Sequence, residues 1–156
     1  MSAPLRGTVL AVCVGPGGIP KGAVESITVS SEGIAGDAHR FPRHGGPDRA
    51  VCLFSVEDYR TLQRDRVVCE PPGAFGENVL TEGLDFTRLR AGDVLVIGAG
   101  ALGQTVRLEI HDVRAPCATL KSVDRRFPDL MLGRSGFVCR VATPGIVRPG
   151  MGIVRS

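Results

Sequence analysis

Residues 102–112, Leu102-Gly103-Gln104-Thr105-Val106-Arg107-Leu108-Glu109-Ile110-His111-Asp112, carry the cleanest period in the chain. Val106, Leu108 and Ile110 fall on one side of an extended backbone and Arg107, Glu109 and His111 on the other. That two-residue alternation belongs to a strand with one buried and one wet face. Outward from it, shorter apolar runs repeat the signal between glycine- and proline-rich turns. Thr8–Val14 reads as a buried strand stopped by Gly15-Pro16-Gly17-Gly18, and Val24, Ile27 and Val29 as a second. Ala50–Phe54, Asn78–Leu80, Val94–Ile97, Phe137–Val141 and Met151–Val154 read the same way, the last two joined by Pro144-Gly145 and Pro149-Gly150 turns. One helix interrupts them over 56–65, where Ser55 offers an N-cap with Asp58 three residues on and Val56, Tyr59 and Leu62 form a stripe. Lys121–Leu132 reads as short helix or irregular chain. The expected fold is mainly β: a closed or partly closed barrel, antiparallel or mixed, with a few short helices.

The chain has 156 residues, the size of one domain that can bury a core without disulfide or metal staples, and we read 1–156 as a single domain. Its net charge is only +3, and the 19 basic residues are scattered, which argues against nucleic acid as a partner. Five cysteines, at 13, 52, 69, 117 and 139, form no CxxC pair, so neither a zinc knuckle nor a secreted disulfide framework is expected. The apolar run Val9–Val14 is too short for a signal-peptide core or a membrane span. A cytoplasmic, reduced protein with no membrane partner is the expectation.

Three segments have residues suited to chemistry. In Arg114-Ala115-Pro116-Cys117 a cysteine follows the best strand, with an arginine three residues upstream and a proline stiffening the approach. Cys117 is then either a reactive thiolate or a small buried hydrophobe. Cys13, Cys52 and Cys139 lie in apolar strands and read as core, and Cys69 is assigned no role. The segment from Gly36 to Arg49 crowds Asp37, His39, Arg40, Arg43, His44, Asp48 and Arg49 among glycines. It is either a solvated loop or a cradle for an oxyanion held by arginine forks and backbone donors. Its ligand spacing matches no strong metal signature. In Gly76-Glu77-Asn78, the asparagine either satisfies a turn or hydrogen-bonds a heterocycle edge.

Taken in order, these segments resemble the MOSC domain, named for the C-terminal domain of molybdenum-cofactor sulfurases. The resemblance runs through Gly33-Ile34-Ala35-Gly36-Asp37, His44-Gly45-Gly46-Pro47-Asp48-Arg49-Ala50-Val51, Pro72–Val79, Gly83-Leu84-Asp85, Ala91–Gly98 and Arg114–Cys117, covering residues 20–155. It implies a MOSC-type β-barrel, similar to the pyruvate-kinase barrel, that handles the molybdenum cofactor (molybdopterin) or sulfur destined for it. Cys117 would carry a persulfide or ligate molybdenum, a soft metal suited to thiolate. Asp37, His44, Arg49, Asn78 and Arg114 would line the same cofactor-binding pocket; by their chemistry, rather than by the resemblance, we assign the arginines to the pterin phosphate and Asn78 to the pterin or substrate. Neither a pyridoxal-phosphate desulfurase domain nor the cysteine spacing of an iron–sulfur cluster is expected within these 156 residues. Sulfur is therefore expected from a cysteine desulfurase in trans, with a molybdoenzyme as its recipient, or electrons from a separate electron-donor protein. Two functions follow from the resemblance: a module that binds the cofactor or carries its sulfur through Cys117, and a small molybdoenzyme that reduces N-hydroxylated compounds.

Overall fold

The structure, a computed structural model, describes residues 5–16, 19–38, 46–98, 105–114, 121, 123–126 and 136–156. Its longest strand, β1 (Arg6–Val14), organises the rest. Val9 and Val12 are both fully buried although three residues apart, which strict alternation forbids. A β-bulge at Leu10 resolves this: Val9 faces Thr81 and Ala11 faces Leu80 on β6 (Val79–Glu82), so the extra residue turns outward and the phase resets.

The other strands are β2 (Gly22–Val24), β3 (Ile27–Ser30), β4 (Gly33–Ile34), β5 (Val51–Ser55), β7 (Val94–Ile97), β8 (Val106–Val113), β9 (Phe137–Thr143), β10 (Gly145–Val147) and β11 (Gly152–Arg155). The main sheet runs β11-β7-β8-β9-β5-β6-β1-β2, and β11 also pairs with β1. That last pairing closes seven strands into a barrel, with β2 continuing along the edge of β1 beyond β11. Every pairing is antiparallel except β5–β6, which is parallel and is connected through the helix α1 (Val56–Arg64). A parallel neighbour demands such a crossover, so the barrel is mixed because one helix interrupts the run of strands. β10, β3 and β4 form a separate small sheet. The sequence did not announce β10, and the expected second strand is split into β2 and β3.

Each barrel strand contributes to one continuous apolar cluster, including Val9, Val51, Val79, Leu95, Leu108 and Ile153. A second cluster lies between α1 and the adjoining strands, built on Phe54, Tyr59, Leu62, Phe75 and Leu80. Tyr59 and Phe75 have ring centroids 5.0 Å apart, and Phe54 meets the Tyr59 ring edge-on at 5.3 Å. The helix starts where the sequence placed it, the Ser55 hydroxyl accepting the Asp58 N–H at 3.1 Å.

A polar clasp sits inside this second cluster. The Tyr59 hydroxyl donates to Glu77 Oε2 at 2.7 Å and accepts the Ala74 N–H at 3.0 Å, while the Gly73 N–H donates to the same carboxylate oxygen. Burial and the neighbouring Glu77 carboxylate push the Tyr59 phenol far above its ordinary range, so it remains a donor. The clasp ties α1 to the turn that leads into β6. Gly73 is required there: its φ is +89°, and a Cβ would lie 1.9 Å from the Lys21 carbonyl.

Tyr59→Phe removes one hydrogen bond from a fully buried carboxylate and one from Ala74. Urea unfolding is expected to show a loss of about 2–3 kcal/mol. A loss below about 0.5 kcal/mol would mean that the clasp does not hold the turn.

Candidate functional site

One layer of residues at one rim of the barrel runs across β8, β9, β5 and β1 and through Asn78, the residue that leads into β6. Asp112 on β8 pairs with Val138 on β9, and Val138 pairs with Cys52 on β5. The Cys52 carbonyl accepts the Asn78 N–H at 2.9 Å, and the Asn78 carbonyl accepts the Cys13 N–H on β1 at 2.8 Å. The chain enters or leaves this rim at Gly15, Gly46, Gly76, Arg114 and Gly136. Every segment singled out for chemistry by the sequence meets the barrel here.

Asn78 is the seam of the layer. Its side chain is buried, accepting the Cys52 N–H at Oδ1 (3.0 Å) and donating from Nδ2 to the Cys13 carbonyl (3.2 Å) and to Asp37 Oδ2 (3.0 Å). Both amide protons are thereby used within the protein. What Asn78 gives the rim is the placement of Asp37 rather than a free hydrogen-bonding edge. Asp37 also accepts the Gly15 N–H at 2.9 Å and the Lys21 ammonium at 2.8 Å. Lys21 and Asp37 have side chains only 6% and 2% exposed, so each is the other's compensation for leaving water. Lys21 is not among the expected site residues, because nothing in the sequence distinguishes a lone lysine after Ile19-Pro20 from a surface one.

Arg114, at the end of β8, lies against the backbone of Gly76. A Cβ on Gly76 would meet Ile19 Cγ2 at 2.8 Å and Arg114 Nη2 at 3.6 Å, and its φ is +79°. The three residues of Gly76-Glu77-Asn78 thus divide the work: Gly76 leaves room for Ile19 and takes the positive φ, Glu77 makes the clasp to α1, and Asn78 forms the seam across the strands.

Beside this layer a cavity of about 330 Å³ opens between the Pro47–Arg49 turn and the ends of β8 and β9. Asp48, Arg49, His111, Asp112, Val113 and Val138 line it. Arg49 Nε is buried and has no hydrogen-bond partner among the described residues. Arg140 Nε donates to Asp48 Oδ1, and this bond holds the Asp48 carboxyl below the usual carboxylate range. His111 Nε2 lies 3.8 Å from Asp48 Oδ2.

Of the residues expected at the site, Asp37 and Asn78 are in direct contact, Arg114 lies beside Gly76, and Arg49 lines the cavity. Cys117 and His44, with His39, Arg40 and Arg43, lie outside the described residues. Among the described residues no group of three His, Cys, Asp or Glu side chains is placed to hold a metal ion. Burial pushes the Cys13 thiol up to about 12 and Cys69 up to about 11, and raises Cys139 also. Cys52, expected as core, is instead partly exposed.

The family model for the MOSC domain matches residues 40–154. A reductase of Gibberella moniliformis is 30% identical over 135 residues, which cover 78% of this chain and 22% of the reductase. The protein YiiM of Escherichia coli is 32% identical over 111 residues, covering 67% of this chain and 46% of YiiM. The crystal structure of that YiiM superposes with a TM-score of 0.74 at 26% identity, covering 98% of this chain and 70% of the other. YflK of Bacillus subtilis is 29% identical over 136 residues, 82% of this chain and 58% of YflK. The chain therefore spans between about a fifth and three fifths of the lengths of these curated relatives. Among the described residues no helix is long and apolar enough to cross a membrane.

Asn78→Ala takes the side-chain partner from the Cys52 N–H and from the Cys13 carbonyl, while Asp37 keeps Lys21 and the Gly15 N–H, and a loss of about 2–4 kcal/mol is expected in denaturant unfolding. An unchanged midpoint would show that the seam is dispensable. In native protein at pH 8, a thiol reagent should spare Cys13, Cys69 and Cys139, and reach them only after unfolding. Equal labelling of all cysteines before and after unfolding would contradict the burial described.

Proposed function

Because the chain belongs to the MOSC domain family, we propose that it binds the molybdenum cofactor at the barrel rim, with the Cys117 thiolate as metal ligand. The observation that carries this reading is Arg49. Its Nε is buried and has no hydrogen-bond partner among the described residues, which is costly unless an acceptor arrives, and a phosphate oxygen is an acceptor that matches it. The residues present therefore fit an anionic, phosphate-bearing group. At about 330 Å³ the cavity is at the small end of ligand sites, suited to one part of a cofactor or to a compact substrate.

Arg49 would hold the phosphate, and Arg114 would bring a second positive charge to the rim. Cys117 follows Arg114 by three residues, a span of chain that reaches at most about 11 Å. His44 precedes the Gly46 end of the same rim by two residues and is assigned to the same pocket. Asp37 and Asn78 act as positioning residues. When bound, the cofactor supplies a redox-active metal with an open place for a soft thiolate. The protein's share is to orient it and to keep the thiolate at its edge.

A second reading is reduction of N-hydroxylated compounds with electrons from a separate donor protein; the family resemblance suggests the substrate class and the donor, and the relative's name agrees with it only in being a reductase. The rival reading keeps Cys117 as a persulfide carrier fed by a cysteine desulfurase and serving a molybdoenzyme.

Protein purified from a host that makes the cofactor is expected to carry about one molybdenum and one pterin per chain, the metal being lost in Cys117→Ser. Absence of molybdenum together with cyanide-releasable sulfur on Cys117 would favour the carrier instead. If neither is found, cofactor handling at this rim is refuted.

A further inference from the structure

We propose that His111 is the proton donor of the rim cavity, and that Asp48, clamped by Arg140, is the residue that positions its imidazolium. This inference rests on the reductase reading above. Three independent features of the structure converge on it.

The first is the backbone. Along β8 and β9, Ile110 pairs with Cys139 and Asp112 with Val138, so two steps on one strand match a single step on the other. His111 is the extra residue of a β-bulge. The ladder is broken there, and His111 keeps the outer face that it shares with Glu109 and, across on β9, Arg140, at the border of the cavity. The second is the charge arrangement. Asp48, on the Pro47–Arg49 turn, presents Oδ2 to His111 Nε2 at 3.8 Å, while Arg140 on β9 occupies Oδ1. Arg140 pairs across the strands with Glu109, and Asp112 has one oxygen committed to the Val113 N–H at 2.7 Å. Arg49 is the remaining charged group on the cavity wall. Of the two carboxylates there, Asp48 is the one placed against the ring. The third is access: the His111 side chain is 39% exposed, so the ring can be reprotonated from water between turnovers.

The chemistry needs such a group. In an N-hydroxylated base or amidoxime the N–O bond breaks and its electron pair departs with oxygen as hydroxide. With Nε2 turned to Asp48, His111 gives up the proton at Nδ1, and the hydroxide leaves as water. The nitrogen regains two electrons, supplied by the electron-donor protein that is oxidised in turn, and takes a second proton from solvent. The sum is R–NH–OH + 2e⁻ + 2H⁺ → R–NH₂ + H₂O. Hydroxide is a poor leaving group at neutral pH, so a placed acid at the departing oxygen is worth about 10²–10⁴-fold in rate.

The test uses cofactor-loaded protein and an aromatic amidoxime, with wild type, His111→Gln, His111→Ala and Asp48→Asn compared. Molybdenum content should be equal in all four. The expected result for His111→Gln is a loss of about 10²-fold or more in kcat with KM little changed, and a flattened pH profile. Added imidazole should restore part of the His111→Ala rate. Proton NMR of the His111 ring in cofactor-free protein should titrate differently in Asp48→Asn and in wild type. A His111→Gln protein with wild-type kcat and pH profile would overturn the donor while leaving the reductase reading intact. Identical NMR titrations would remove Asp48 from its role. A loaded wild type that fails to reduce the amidoxime would refute the reductase reading and this inference with it.

Discussion

The Asn78 side chain is the constraint on which the rim depends. Three strands, β5, β6 and β1, meet at this residue, and β5 and β6 run parallel, so their ladder cannot supply the neat exchange of an antiparallel pair. The side-chain amide fills the gap by imitating a further stretch of backbone, accepting from Cys52 and donating to the Cys13 carbonyl. Its remaining proton goes to Asp37, which in turn fixes Lys21 and the Gly15 amide. A single amide therefore sets the strand ends and the first charged group beyond them. Replacing it by an apolar residue would take a partner from backbone groups on both β5 and β1, which is far costlier than losing one surface hydrogen bond.

The rim concentrates charge that the barrel interior cannot hold. The interior is apolar from all seven strands, and the one carboxylate among the second cluster, Glu77, is used to tie a helix to a turn. At the rim, by contrast, charged groups of both signs gather. Lys21 is answered by Asp37, and Arg140 by Asp48. Arg49 has no such answer at Nε among the described residues. A guanidinium beside a cavity favours an oxyanion over a neutral ligand. His111 adds a group able to carry a proton at the border of the same cavity.

Much of this is legible in the sequence because barrel strands declare themselves by alternation. β1, β5, β7, β8, β9 and β11 are all visible as apolar runs, and Ser55 with Asp58 marks the helix start. The bulges are not visible, since Leu10 and His111 look like ordinary members of their patterns and only the partner strand reveals the extra residue. β10 is hidden because three residues after Pro144 are too few to show a period. At the site, the sequence picks out Asp37, Asn78 and Arg49 from their glycine neighbours and from family resemblance. It does not tell that Asn78 faces inward to backbone groups. Nor does it reveal Lys21 or Arg140, whose roles exist only through contacts 16 and 92 residues away in sequence. Pairings at such range leave no local mark.

The central claim is that the rim beside Arg49 and Arg114 holds a molybdenum cofactor ligated by Cys117. X-ray absorption at the molybdenum edge of the loaded protein addresses it most directly. The account predicts a thiolate sulfur contributed by the protein in wild type, and its replacement by an oxygen ligand, or loss of the metal, in Cys117→Ser. Identical metal content and identical spectra from the two proteins would contradict it.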